Sequence, residues 1–206
     1  MKIVTISDTH GLQGDLTIPD GDILIHAGDL TKRGDLRELS AVNEFFGQLP
    51  HPHKVVIAGN HDFCFERTPD ASRAVMTNCT YLQDEAVIIE GIRLWGSPWQ
   101  PWFYDWAFNL RRGPALERKW NLIPNDTDIL ITHGPPSGYG DTTVNGEAVG
   151  CADLSNALTR VQPKLHVFGH IHEGYGRWND DTTTYINASI CDYHYRPVNP
   201  PQVLQW

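Results

Sequence analysis

Cysteine is scarce in this chain and poorly placed for any framework. The four residues, Cys64, Cys79, Cys151 and Cys191, lie far apart and form no C-x-x-C pair. That argues against a disulfide scaffold and a thiolate zinc site, and fits reduced thiols in a cytoplasmic protein. No apolar run approaches the roughly 18 residues needed to cross a bilayer, so no membrane partner is expected. The opening residues, MKIVTISD, hold no signal-peptide core. Basic charge is also in deficit: 16 Lys and Arg stand against 25 Asp and Glu, a net charge of −9. A chain this acidic has no broad basic track for a nucleic-acid duplex. A phosphate ester remains possible as partner, because a bound cation can reverse the local sign.

What is present is an ordinary globular composition, 40% hydrophobic and 20% charged over 206 residues, with 10 His and 7 Trp. No repeat, low-complexity tract or linker divides it, and residues 1–206 are taken as one domain. Five short apolar runs rich in β-branched residues are expected strands: Lys2–Ser7, Asp22–Ala27, Lys54–Ala58, Asp128–Thr132 and Leu165–Phe168. Their continuous apolarity points to strands buried on both faces, as in a layered α/β sheet. Helices are expected over Asp35–Leu49, Pro69–Thr77, Pro114–Asn121 and Ala152–Val161. Val87–Ile89 and Ile92–Trp95 read as a hairpin, and Thr182–Ile186 as a late strand.

The chemistry lies in what ends each run. The five strands are followed by Asp8-Thr9-His10, Gly28-Asp29, Gly59-Asn60-His61-Asp62, His133-Gly134 and Gly169-His170-Ile171-His172. In α/β sheets the carboxyl edge is where ligands bind, so side chains scattered along the sequence converge there. Asp8, His10, Asp29, Asn60, His133, His170 and His172 offer carboxylate, imidazole and amide oxygen. Seven groups exceed the about four ligands of one zinc ion. They suit two divalent ions roughly 3.5–4 Å apart that share a carboxylate. The imidazole content favours Mn, Fe, Zn or Co over Mg or Ca.

In this order the pieces are similar to the signature of the calcineurin-like metallophosphoesterase superfamily, D-x-H, G-D, G-N-H-[DE], H and G-H-x-H. The phrases HAGDLT, GSPWQPWF and GHIHEGYG further resemble the branch that contains the mammalian brain metallophosphoesterase-domain-containing proteins. The resemblance implies a four-layer α/β/β/α sandwich with two mixed β-sheets, and a metal site at the carboxyl ends of the strands. It implies one metal on Asp8, His10, Asp29 and His172, and a second on Asp29, Asn60, His133 and His170. Manganese is the first expectation, iron or zinc the next. A metal-bridging hydroxide would attack phosphorus in line, with His61 as the catalytic residue that binds or protonates the leaving oxygen. The implied activity is a phosphodiesterase acting on small nucleotide or cyclic nucleotide esters. A phosphomonoesterase or protein phosphatase, or a non-catalytic scaffold, is the alternative. A metallo-β-lactamase-like site is disfavoured, since its H-x-H-x-D-H run is missing.

One departure stands out. In the protein phosphatase branch G-D is followed by x-x-D-R-G, whose Asp orients the catalytic His. Here Lys32 occupies that place in Gly28-Asp29-Leu30-Thr31-Lys32-Arg33-Gly34, leaving open what orients His61. Substrate contacts are expected from Asn60, Arg33, Asn145, Gly146 and Glu173. Asp62 and Glu173 are candidates to hold the second nitrogen of a ligand His. The aromatic stretch Trp95–Phe108 is expected mostly to pack as a satellite core, with one or two rings at the pocket. Residues 134–150, with Asn145-Gly146 as a tight turn, either close over substrate or form a solvent loop. His26 and His166 read as hydrogen-bonded core residues, His51 and His53 as a surface loop, and His194 as terminal packing.

Overall fold

The computed structural model describes residues 1–206. Thirteen strands follow in chain order: β1 (Lys2–Ile6), β2 (Ile23–His26), β3 (His53–Val56), β4 (Thr80–Tyr81), β5 (Glu85–Ile89), β6 (Ile92–Ser97), β7 (Gln100–Pro101), β8 (Asn109–Leu110), β9 (Ile129–Thr132), β10 (Leu165–Phe168), β11 (Gly176–Asn179), β12 (Thr184–Asn187) and β13 (Gln202–Gln205). Five helices accompany them: α1 (Leu36–Gln48), α2 (Phe63–Arg67), α3 (Pro69–Val75), α4 (Pro114–Trp120) and α5 (Ala152–Val161). One sheet has the order β13-β1-β2-β3-β4 and the other β11-β12-β10-β9-β6-β5. Each has a parallel centre and an antiparallel edge strand: β13 on the first, β11 and β5 on the second.

The alternation of side chains along each strand builds the layers. Ile3, Ile23, Ile25 and Val55 from the first sheet share one buried cluster with Leu94, Ile129, Ile131, Val167 and Ile186 from the second. Their neighbours in sequence, Val4, Ile6, Leu24 and Val56, face the other way and pack with Leu39, Val42 and Phe46 of α1 and Phe65 of α2. On the far side Leu130, Phe168 and Tyr185 meet Leu116 and Trp120 of α4 and Leu154, Leu158 and Val161 of α5. Helices, sheet, sheet, helices are therefore the order of the layers. Both faces of the central strands are covered, which accounts for their unbroken apolarity. No helix is long and apolar enough to cross a membrane.

Six of these elements go beyond the sequence reading: α2, β4, β7, β8, β11 and β13 are short and carry polar residues, so periodicity does not mark them. His51 is a correction. It is only 2% exposed, and its Nε2 lies 3.0 Å from the Pro19 carbonyl, while His53 opens β3. Exposed Pro52 turns the chain so that the flanking ring points inward. The aromatic stretch is a partial correction. Trp95, Ala107 and Phe108 are buried, and Trp99 donates its Nε1–H to Asp84 at 2.8 Å. Trp102, Phe103 and Tyr104 instead stand out to solvent, 58%, 53% and 74% exposed.

His26 and His166 are core residues, as the sequence implies. Thr132 donates its hydroxyl to the Gly134 carbonyl at 2.8 Å, so His166 Nε2, 2.8 Å away, donates to Thr132. Burial alone pushes His166 down to about 3. The unfolded chain takes up that proton near 6.5, so the neutral ring stabilises the fold at pH 7 and loses that contribution as pH falls from about 6.5 towards 3. His166→Phe should therefore flatten the fall of stability between pH 6 and 4 by up to about 1.4 kcal/mol per pH unit. Urea midpoints measured across that range check this, and an unchanged slope contradicts it.

Candidate metal centre

Each of the five strand runs delivers its polar residues to the same edge of the sandwich, where the two sheets meet. Asp8 and His10 follow β1, Asp29 follows β2, Asn60 and His61 follow β3, His133 follows β9, and His170 and His172 follow β10. Seven of these eight are buried, and His170 is half-buried. The ligand atoms of Asp8, His10 and His172 lie within 4.8 Å of one another, as do those of Asp8, Asp29 and His133, and of His10, Asp29 and His61. Asn60 Oδ1 completes the set, 2.9 Å from His133 Nε2 and 2.8 Å from His170 Nδ1. All seven expected ligands thus converge.

The backbone is bent to achieve this. Asp8, His10, Asp29 and His170 take φ of +56°, +46°, +56° and +69°, a region that costs a non-glycine residue roughly 1–3 kcal/mol. Close approach of the strands requires glycine at two places. A Cβ on Gly59 would run into the Asp29 carboxylate and stand 2.6 Å from His133 Cε1, and one on Gly169 would overlap Asp8 and Ser7.

The hydrogen bonds behind the site fix which nitrogen faces it. His133 Nδ1 donates to the Ala27 carbonyl at 2.9 Å and His172 Nδ1 to the Asp192 carbonyl at 2.9 Å. A carbonyl only accepts, so each ring carries hydrogen at Nδ1 and presents Nε2 to the cluster. His133 Nε2 there faces Asn60 Oδ1 and, at 3.4 Å, Asp29 Oδ2. His172 Nε2 faces Asp8 Oδ1 at 3.5 Å and His10 Nε2 at 3.2 Å. Lone pairs confront lone pairs, and only a proton or a cation between them resolves that. Burial lowers both rings, but Asp29 beside His133 and Asp8 beside His172 outweigh it and lift each to about 9. Burial holds His10 down to about 4 and His170 to about 3, so these two rings are neutral donors of a lone pair. The donor set is one that could hold a metal ion.

The carboxylates are anchored separately. Asp8 accepts from the His170 backbone N–H at 3.0 Å and from Ser189 Oγ at 2.8 Å. Asp29 Oδ1 accepts from the His61 N–H at 2.8 Å. Asp62 does not hold a ligand His. Its carboxylate takes the N–H groups of Leu30, Thr31 and Gly59 and the Thr31 hydroxyl, tying the loops after β2 and β3 together. Burial, then the charge of Asp29, raises it to about 6. Glu173 likewise holds no ligand. It accepts from the Val144 N–H at 2.8 Å and pins the 134–150 loop beside His172. Asn145-Gly146 forms the exposed tip of that loop, and Arg33 is exposed on the approach to α1.

Lys32 answers for the missing Asp in an unexpected way. Its backbone carbonyl, not its side chain, takes the His61 Nδ1–H at 3.0 Å. Two aromatic rings border His61: Trp106 comes from the stretch expected to send one or two rings to the pocket, and Tyr195 escapes the sequence reading. Trp106 stacks on its ring at 4.3 Å between centroids. Tyr195 lies edge-on to His10 at 4.8 Å, while its neighbour His194 is exposed.

The chain is similar to known proteins. A family model described as calcineurin-like phosphoesterase matches residues 1–174. The human and mouse proteins called Metallophosphoesterase domain-containing protein 1 are each 50% identical over 228 residues, covering 98% of this chain and 70% of theirs. Among solved structures, an archaeal protein described as a novel phosphodiesterase superposes with a TM-score of 0.51 at 18% identity, covering 100% of this chain and 93% of that one. A Thermus thermophilus protein reaches 0.60 at 14% identity, covering 90% and 88%. At these identities the two structures speak to the fold.

Gly59→Ala tests the close approach of the loops. It should retain the far-UV spectrum yet weaken Mn²⁺ binding by about 10–100-fold, the usual effect of displacing what holds a ligand. Wild-type affinity in a calorimetric titration contradicts it.

Proposed function

Because the chain belongs to the calcineurin-like phosphoesterase family, we propose that it is a dinuclear metal-dependent phosphoric ester hydrolase. Its favoured substrates are small phosphodiesters of the nucleotide or cyclic nucleotide type. The observation that carries this reading is the convergence of carboxylate, amide and imidazole ligand atoms around Asp29. His133 Nε2 meets Asp29 Oδ2 and Asn60 Oδ1 on one side, and His10 Nε2 lies 3.8 Å from Asp29 Oδ2 on the other. Asp8, His10, Asp29 and His172 would hold one cation, and Asp29, Asn60, His133 and His170 the other, with manganese first, then iron or zinc. Two such ions supply neutralisation of the ester's charge and a water pKa lowered towards about 7.

The chain's own residues do the rest. His61 keeps its Nδ1–H on the Lys32 carbonyl, so Nε2 is the nitrogen free to bind the leaving oxygen or pass it a proton. Asp29 Oδ1 takes the His61 N–H and holds that loop in place. A carbonyl in place of the dyad carboxylate gives His61 orientation without a charged partner, which supports a substrate outside the phosphoserine/threonine class. Arg33 and the 144–147 tip are the mobile-length side chains and loop from which further substrate contacts would come. Residues 1–206 form the proposed catalytic domain.

Hydrolysis of bis-p-nitrophenyl phosphate should appear with Mn²⁺, vanish with chelator and return on re-addition. His61→Ala should keep both metals and lose about 10²–10⁴ in rate, whereas Asp29→Ala should lose metal. Inactivity with both sites filled supports the scaffold reading. Faster turnover of p-nitrophenyl phosphate than of the diester supports the monoesterase.

A further inference from the structure

Two aromatic rings border His61 without being core. Trp106 is half-buried. It stacks on the imidazole at 4.3 Å and 29°, backed by Phe63 at 6.0 Å. Tyr195 is 47% exposed and lies edge-on to His10, His172 and His61, at 4.8, 5.3 and 6.0 Å between ring centroids.

Tyr195 is held there by a dedicated fold of the chain. Cys191 and Pro197 pair across a short return, and Asp192 organises everything inside it. Its carboxylate accepts from the N–H groups of His194 and Arg196, both at 2.9 Å, and from the Arg196 guanidinium. Its carbonyl accepts from the Tyr195 N–H at 2.8 Å and from His172 Nδ1 at 2.9 Å. One backbone oxygen thus fixes both an expected metal ligand and the ring beside it. Tyr195 also sits at φ +57°. Tyr195 is thus a half-exposed ring on a left-handed backbone position, set against three histidines.

We propose that Trp106 and Tyr195 are specificity-determining residues. They form an aromatic slot beside His61 that receives a flat aromatic group on the leaving arm of the phosphoester. The proposal rests on His61 marking the leaving-group side. Aromatic faces and edges attract a planar ring through complementary quadrupoles, and an alkyl arm lacks that match.

The test is calorimetric binding of phenyl phosphate and methyl phosphate to the Mn²⁺-loaded protein, with diester hydrolysis followed in parallel. Phenyl phosphate should bind about tenfold more tightly. Tyr195→Ala and Trp106→Ala should each cut that ratio by about threefold or more, and Tyr195→Phe should retain it. Equal affinities in the wild type, a ratio unmoved by both alanine variants, or binding of neither ester overturns the slot. Phenyl preference without any turnover keeps the slot and removes the hydrolase reading. Turnover without phenyl preference does the reverse.

Discussion

Acceptors facing acceptors at the seam between two sheets are the constraint on which this structure turns. Asp8 and Asp29 are fully enclosed, in a place where an uncompensated carboxylate costs several kcal/mol. Elsewhere buried charges are met by N–H donors. Here the N–H and O–H donors account for only some of the oxygen lone pairs, and the rest face Nε2 of His133 and His172, where a proton or a cation must sit. The polypeptide has spent both its backbone strain and its glycines on preserving this unresolved arrangement. A fold selected for stability alone would relieve it with a threonine or an asparagine amide.

The sandwich makes the arrangement possible because parallel strands end together. Five carboxyl termini reach one edge, so no single loop has to carry the site. What holds each side chain in register is mostly main chain: the carbonyls of Ala27, Lys32 and Asp192 behind the rings, and the His61 and His170 N–H groups on the carboxylates. Asp62 joins two of the loops from beneath.

The convergence of these side chains could be read from the sequence because each belongs to a short local phrase that also ends a strand. Asp8, Asp29, His133 and His170 all declare themselves by following a β-branched run. Their supports do not. A backbone carbonyl has the same chemistry in every residue type, so nothing about Lys32 announces that its oxygen meets His61. Tyr195 lies 134 positions after His61 by its numbering, in a stretch with no periodicity. Its role depends on how Asp192 folds the chain around it. β13 was hidden for another reason: as an edge strand beside β1 it has one exposed flank and keeps polar Gln202 and Gln205. His51 misled because Pro52 signals a turn but not which neighbour the turn sends inward.

The pairing of Lys2 with Gln205, and of Met1 carbonyl oxygen with the Trp206 N–H at 2.8 Å, joins the two extremities of this sequence in one sheet. Ser189 and Asp192 lock Asp8 and His172 from the same late stretch. β1 and its outer partner β13 are separated by almost the whole of this sequence, so their pairing is a contact of very high sequence separation. Until β13 pairs, the outer edge of apolar β1 stays open, the situation in which contacts of high sequence separation slow folding and invite aggregation.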